Sequence, residues 1–297
     1  MSYGRMLEAE KALENQIADL LAKAQATDLS EADQEDSPTS LPCELAGRQE
    51  RLKRIQDAKK RLEARQQEID KSKGRTPNDE RKPRDKDGRP KGGKYKRDFG
   101  VPESSAQESF TDPDSRIMPH RGGGFEQSYN CQAGVDRDSH LIVAISTGNS
   151  PSDAGQLATM ALCVKDVCKE NPQLILADAG YRSEEGFRML EEMGVPALVA
   201  LGREGKSRED ETNSVKSDPG KEKGHPCTDA MRERMRSQQG QDGYRQRKWI
   251  VEPVFGWIKN ILGFRQVSMR GIGKVRAEWA LVCTVMNLRR MHRLSMA

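Results

Sequence analysis

Three acids of this 297-residue chain stand where a carboxylate could do chemistry. Asp136 follows the run Tyr129-Asn130-Cys131-Gln132-Ala133-Gly134-Val135, and Asp178 closes Leu174-Ile175-Leu176-Ala177 just ahead of Gly180, where the chain can turn sharply. Ligands of open α/β sheets bind at the carboxyl ends of strands. An acid beside such apolar runs is costly unless it meets a cation or hydrogen-bond donors. Glu252 lies in Trp249-Ile250-Val251-Glu252-Pro253-Val254-Phe255-Gly256-Trp257-Ile258-Lys259, the most apolar setting of any acid here. A helix through that stretch puts Glu252, Gly256 and Lys259 on one face. The plainer alternatives are a turn-starting role for each aspartate and, with Pro253 in a first helical turn, an N-terminal acid or ion pair for Glu252. Three carboxylates converging from two strands and a helix fit a hard divalent cation, Mg²⁺ or Mn²⁺. Two such ions roughly 3.5–4 Å apart serve phosphodiester chemistry by activating the attacking oxygen and stabilising the leaving one.

The elements that must position these acids are readable from periodicity. Phe125 to Asp136 and His140 to Thr147 predict two adjacent strands joined by the turn Asp136-Arg137-Asp138-Ser139, the second with an unbroken apolar run suited to a sheet centre. A helix follows over Asp153 to Lys169, with Leu157, Met160, Ala161, Val164 and Val167 inward. Leu174 to Ala177 is a third strand, Ser183 caps a helix that ends near Gly194, and Val195 to Leu201 is a fourth strand. Strand, helix, strand, helix, strand is an α/β pattern whose crossovers require parallel neighbours. Tyr244 to Arg293 reads as helical. Its last helix carries Val275, Trp279, Val282 and Met286 on one stripe and Leu281, Val285 and Leu288 on another, which predicts a largely buried helix.

Ahead of this region, residues 1–70 predict a helical hairpin for packing or oligomerisation. Leu13, Ile17, Leu20 and Leu21 stripe a helix over 5–25, and Leu52, Ile55, Leu62 and Ile69 stripe another over 44–70. The acidic stretch from Asp28 to Pro42 reads as the loop between them. Residues 71–110, rich in Lys, Arg, Gly and Pro with almost nothing apolar, predict a flexible, disordered basic linker, because so little apolar surface cannot offset the entropy of ordering. Residues 111–293, which hold all three candidate acids, read as one further region with a charged, apolar-poor insertion at about 202–243.

Composition limits the function classes. Apolar residues make up 34% and charged ones 32%, and mean hydropathy is −0.85, so the core is lean. No apolar run approaches the roughly 20 residues of a membrane span, and no secretory signal opens the chain. The six cysteines include no C-x-x-C pair, and His225 with Cys227 lacks the second pair of a zinc site, so reduced cytosolic thiols are expected. Charge is uneven. Residues 71–98 hold 12 Lys/Arg against 5 Asp/Glu and residues 245–293 hold 11 against 2, whereas residues 1–70 hold 11 against 15. Two basic blocks, the second interleaved with Trp249, Phe255, Trp257 and Phe264, point to a polyanion, of which nucleic acid is the usual one.

Four ordered motifs, Thr111-Asp112-Pro113-Asp114-Ser115-Arg116, Tyr129-Asn130 through Asp136, Ala177-Asp178-Ala179-Gly180-Tyr181, and Val251 through Lys259, resemble the DDE transposases of bacterial insertion sequences, closest to the IS1182-like branch of the IS4/IS5-type families. The resemblance covers about residues 111–290 and extends to the helical hairpin. It implies a ribonuclease-H-like catalytic domain in which Asp136, Asp178 and Glu252 form a Mg²⁺-binding triad that cleaves DNA strands and transfers them during transposition. Asp138 is the competitor for the first position. The Tyr-Arg-Glu-Lys signature of IS4-type enzymes implies Tyr244, Arg247 and Lys259 as DNA contacts. Four residues separate Arg247 from Glu252 where the signature has three, so Lys248 competes for the Arg role. Further implications are double-stranded DNA partners (transposon ends and target), a homodimer, and a cytoplasmic, nucleoid-associated location. Members of this branch have another domain ahead of the hairpin, so a truncated copy is expected. The rival expectations are a related ribonuclease-H-like nuclease and an inactive DNA-binding remnant.

Overall fold

The structure is a computed structural model that describes residues 1–30, 41–77, 96–120, 122–202 and 225–296, with the side chains of 23–30 and 41–43 outside the description. The chain divides into two units, Met1–Ile117 and Met118–Ala297.

The first unit is built on two helices, α1 (Tyr3–Ser30) and α2 (Leu41–Ser72). Tyr3, Met6 and Leu13 of α1 are buried against Ile55, Ala58 and Leu62 of α2. The Tyr3 hydroxyl donates to Glu63 at 2.7 Å and Lys59 pairs with Glu10 at 2.8 Å, so the start of one helix lies beside the end of the other, as an antiparallel hairpin requires. Both helices run further into the expected loop than their apolar stripes do. Residues 31–40 lie outside the description. On α2 the inward stripe passes from Leu62 to Asp70, leaving Ile69 exposed.

The segment expected as a linker differs from that expectation at both of its described ends. Asp70 is buried and accepts from the Gly100 amide at 2.9 Å while pairing with Arg75 at 3.1 Å. Glu108 is also buried, between Arg61 at 3.1 Å and Arg65 at 2.8 Å. The amide of Tyr3 donates to Ala106 at 2.8 Å. Residues 71–77 and 96–110 are thus fastened by ion pairs and main-chain bonds, which composition does not count. The stretch between, 78–95, lies outside the description.

In the second unit, the short strands β1 (Arg116–Pro119), whose first two residues precede the division, and β2 (Phe125–Ser128) pair with each other. Strands β3 (Asn130–Val135) and β4 (Ile142–Gly148) form an antiparallel pair in which Gln132 faces Ser146 and Ala133 faces Ile145. Alternation gives β3 two different faces. Cys131, Ala133 and Val135 pack into a core of Ile142, Val254, Ile258, Trp279, Cys283 and Met286. Gly134, on the other face, leaves room for Met160 and Val164 of α3 (Gln156–Cys168), where a Cβ would stand 3.5–3.7 Å from their methyls.

Strands β5 (Ile175–Ala177) and β6 (Ala197–Val199) pair in parallel through α4 (Glu184–Glu192), as the strand–helix–strand pattern predicts. Ser183 caps α4 by accepting from the Gly186 amide, and Gly194 takes a left-handed φ of 68° just after it. Among the described residues the strands form three two-stranded sheets.

The charged insertion departs from expectation in its second half. Residues 203–224 lie outside the description, but α5 (Pro226–Arg236) and α6 (Gln238–Arg245) follow, and Cys227 and Met231 join the core with Leu157, Phe187, Leu190 and Val199. Helix α7 (Arg247–Asn260) buries Ile250, Val254 and Ile258. Pro253 is therefore interior to it, not in its first turn.

Helix α8 (Ile272–Ser295) buries Val275, Trp279, Cys283 and Met286. Its second stripe is exposed: Leu281 by 66%, Val285 by 39% and Leu288 by 61%. The expectation of a largely buried helix is corrected to one buried face, because α8 covers a single side of the β3–β4 pair.

Candidate functional site

Asp178 follows β5 and opens a single 3₁₀ turn, Ala179–Tyr181, by accepting from the Gly180 amide through Oδ1 at 3.0 Å. Its side chain is exposed at the carboxyl end of the parallel pair, where open α/β sheets place their ligands. A second carboxylate shares this place. A Cβ on Gly180 would stand 3.0 Å from Oδ2 of Asp153 and 3.1 Å from Oδ1 of Asp178, so both acids border the notch that glycine leaves.

Asp153 precedes α3 and is held by β3. Its Oδ1 accepts from Asn130 Nδ2 at 2.7 Å and from Gln132 Nε2 at 2.8 Å. The Tyr181 hydroxyl donates to Gln132 Oε1, which ties the Asp178 turn to the same strand. Burial, with the charges of Asp153 and Asp178 beside it, pushes the Tyr181 phenol above its ordinary pKa. Tyr181 therefore stays protonated at neutral pH and remains a donor.

Asp136 stands elsewhere. It follows the last residue of β3, four residues beyond Gln132, which is about 13 Å along a strand. Its Oδ2 accepts from the Ser139 hydroxyl at 2.6 Å and the Ser139 amide at 2.8 Å, and these bonds hold its carboxyl below the usual carboxylate range. The competitor Asp138 is paired with Arg137 at 2.9 Å. Glu252 is exposed on α7, where it shares a face with Lys259 as expected. Among the described residues no group of three or more His, Cys, Asp or Glu side chains is close enough to hold a metal ion. Asp136, Asp178 and Glu252 are thus not brought together, and as placed they do not fit the divalent cation their types suggested.

Of the expected DNA contacts, Tyr244 lies in the last turn of α6 and Arg247 and Lys248 begin α7, with the Arg247 guanidinium 5.6 Å from the Tyr244 ring centre. Lys259 lies twelve residues along α7, about 18 Å from Arg247 by helical rise. Its ammonium is 5.9 Å from the Phe255 ring. A cation absent from the expected set is Arg289, 3.9 Å from the Trp257 ring centre. Desolvation and the neighbouring Arg293 and Arg290 push its pKa down, the mark of crowded positive charge.

Sequence reading missed Asp153, Gln132 and Tyr181. The signal was present in β3: Asn130 and Gln132 are two residues apart and share one face, while Cys131 and Ala133 fill the other. A polar pair on a strand face that packs against a helix needs partners.

Compared with known families, residues 96–288 match the family model described as Transposase DDE domain, well over half of the chain. No curated protein and no solved structure matches the chain.

Proposed function

Because the chain belongs to the transposase DDE domain family, we propose that it cleaves DNA strands at the ends of an insertion sequence and joins them to a target. Water attacks the end phosphodiester, the P–O3′ bond breaks, and a 3′-hydroxyl and a 5′-phosphate are left. That hydroxyl then attacks a target phosphodiester and displaces another 3′-oxygen. The observation that carries the reading is the exposed Asp178 at the carboxyl end of β5, beside the Gly180 notch and Asp153. An antiparallel pair and a parallel pair, with helices over both faces of β3 and β4, support the ribonuclease-H-like assignment. The four motifs support the IS1182-like branch.

The family's chemistry uses a divalent cation, Mg²⁺ or Mn²⁺ in this reading, which when bound neutralises charge at the phosphate. Asp136, Asp178 and Glu252 do not form a site for it as placed, so no step is assigned to one. Asp178 orients the attacking oxygen. Arg247, Lys248 and Lys259 hold phosphates and give affinity without reading sequence, with Tyr244 beside Arg247. A homodimer follows from the need to cut two ends. No helix among the described residues is long and apolar enough to cross a membrane.

The test is end cleavage by wild type and Asp178→Asn on duplex DNA in buffer with Mn²⁺. We expect the variant to lose cleavage by at least about 10³-fold while binding DNA within twofold of wild type. Cleavage by the variant at the wild-type rate refutes the assignment. The separation of the three acids favours a second reading, a DNA-binding protein that does not cut. A wild type that retards duplex DNA and leaves it intact selects that reading.

A further inference from the structure

Gln132 links Asp153 to the turn that Asp178 opens, yet it carries no charge and lies in a strand. It is only 5% exposed. Its backbone carbonyl accepts from Trp279 Nε1 at 2.9 Å, which fastens this point of β3 to α8. Its side-chain amide spans the gap between two loops. The NH₂ end donates to Asp153, at the entry of α3, and the oxygen end accepts from Tyr181, in the turn that Asp178 opens.

The polarity of this arrangement is fixed. A carboxylate only accepts and a protonated phenol donates here, so the amide has one satisfying orientation. Both neighbouring acids border the Gly180 notch and are no more than about 6 Å apart there, where like charges repel unless they are held.

We propose that Gln132 is a positioning residue for Asp178, fixing its turn through Tyr181 and holding the Asp153 carboxylate against the same notch. The inference rests on the transposase reading for its catalytic meaning. It places the working acids of this chain at the entry of α3 and the end of β5, and it leaves Asp136 to the far turn. Losing one bond of a buried network loosens the group it aims, and a catalytic group misplaced by about 1 Å costs about a hundredfold in rate.

The experiment compares wild type, Gln132→Met and Tyr181→Phe in single-turnover cleavage with protein in excess, together with amide exchange over residues 175–182. The rate per folded molecule should fall about ten- to a hundredfold in both variants, with DNA affinity within twofold, and exchange at Gly180 and Tyr181 should accelerate at least about tenfold. A merely structural role lowers the folded fraction and leaves the rate per folded molecule unchanged, and that result overturns the inference. Tyr181→Phe keeps the ring, so it decides the matter should Gln132→Met fail to fold. If wild type does not cut, the transposase reading fails on its own. Exchange then judges the network, and unchanged exchange in Tyr181→Phe refutes it.

Discussion

At the scale of single residues, the carboxylates divide by what surrounds them. Among the described residues Asp178 accepts from one amide, that of Gly180, and is exposed, whereas Asp136 is spent on Ser139 and serves its turn. Asp136→Ala is expected to cost about 1 kcal/mol through the lost turn bonds, read as a lower urea midpoint. Glu184 is a third kind. Burial pushes its carboxyl up, but the Thr228 hydroxyl and the amides of Cys227 and Thr228 outweigh it and bring the pKa from 4.5 down to about 2. A depressed carboxylate stabilises the fold fully above its unfolded value, and the contribution is lost as pH falls through the folded one. Thermal melts of wild type should therefore lose stability between pH 4.5 and about 2, and Glu184→Gln should flatten the slope in that window. An unchanged slope would mean that Glu184 does not cap α5. In the first unit, Glu108→Ala strands Arg61 and Arg65 and should cost about 2–4 kcal/mol, discounted from the 3–5 of a fully buried pair because both arginines are partly exposed.

At the scale of elements, packing settles what amphipathicity leaves open. The two stripes of α8 look alike in sequence, but only one meets β3 and β4. Trp279→Ala should cost about 3–5 kcal/mol, and Leu288→Lys on the exposed stripe less than about 0.5 kcal/mol. Chemical denaturation of both variants checks the contrast, and equal losses would show that the second stripe is covered. The corner between α5 and α6 is equally sharp in its demands. A Cβ on Gly240 would stand 1.9 Å from the Arg234 carbonyl oxygen, backbone that cannot simply swing aside. Gly240→Ala should therefore destabilise the protein by at least about 1–3 kcal/mol.

At the scale of the whole molecule, two units with their own buried cores carry one family domain, whose matched region starts at residue 96, within the segment fastened to the hairpin. The net charge of +4 conceals the basic block over residues 245–293, which spans the end of α6 through α8. If Arg247, Lys248 and Lys259 each replace a counterion on duplex DNA, affinity should fall about fortyfold between 50 and 200 mM salt. Neutralising Lys259 should reduce the slope of log affinity against log salt by about 0.9. A slope that does not change removes Lys259 from the interface.

The sequence by itself determined most of the elements, because their causes are local, but not the helices α5 and α6, whose few apolar residues give no clear stripe. Ser183 and Gly194 bound α4, the apolar runs mark β4 and β5, and the hairpin follows from stripes whose period is that of a helix. It also determined the family, through motifs that keep their order along the chain. Only the tertiary structure decided which polar groups meet. Asp136 and Gln132 belong to one short motif, yet strand rise carries one to a turn and the other to the Asp178 site. Asp153, read simply as the start of a helix, arrives at Gly180 because β3 and α3 pack face to face. Distance between side chains depends on how elements stack, and residue spacing does not encode that.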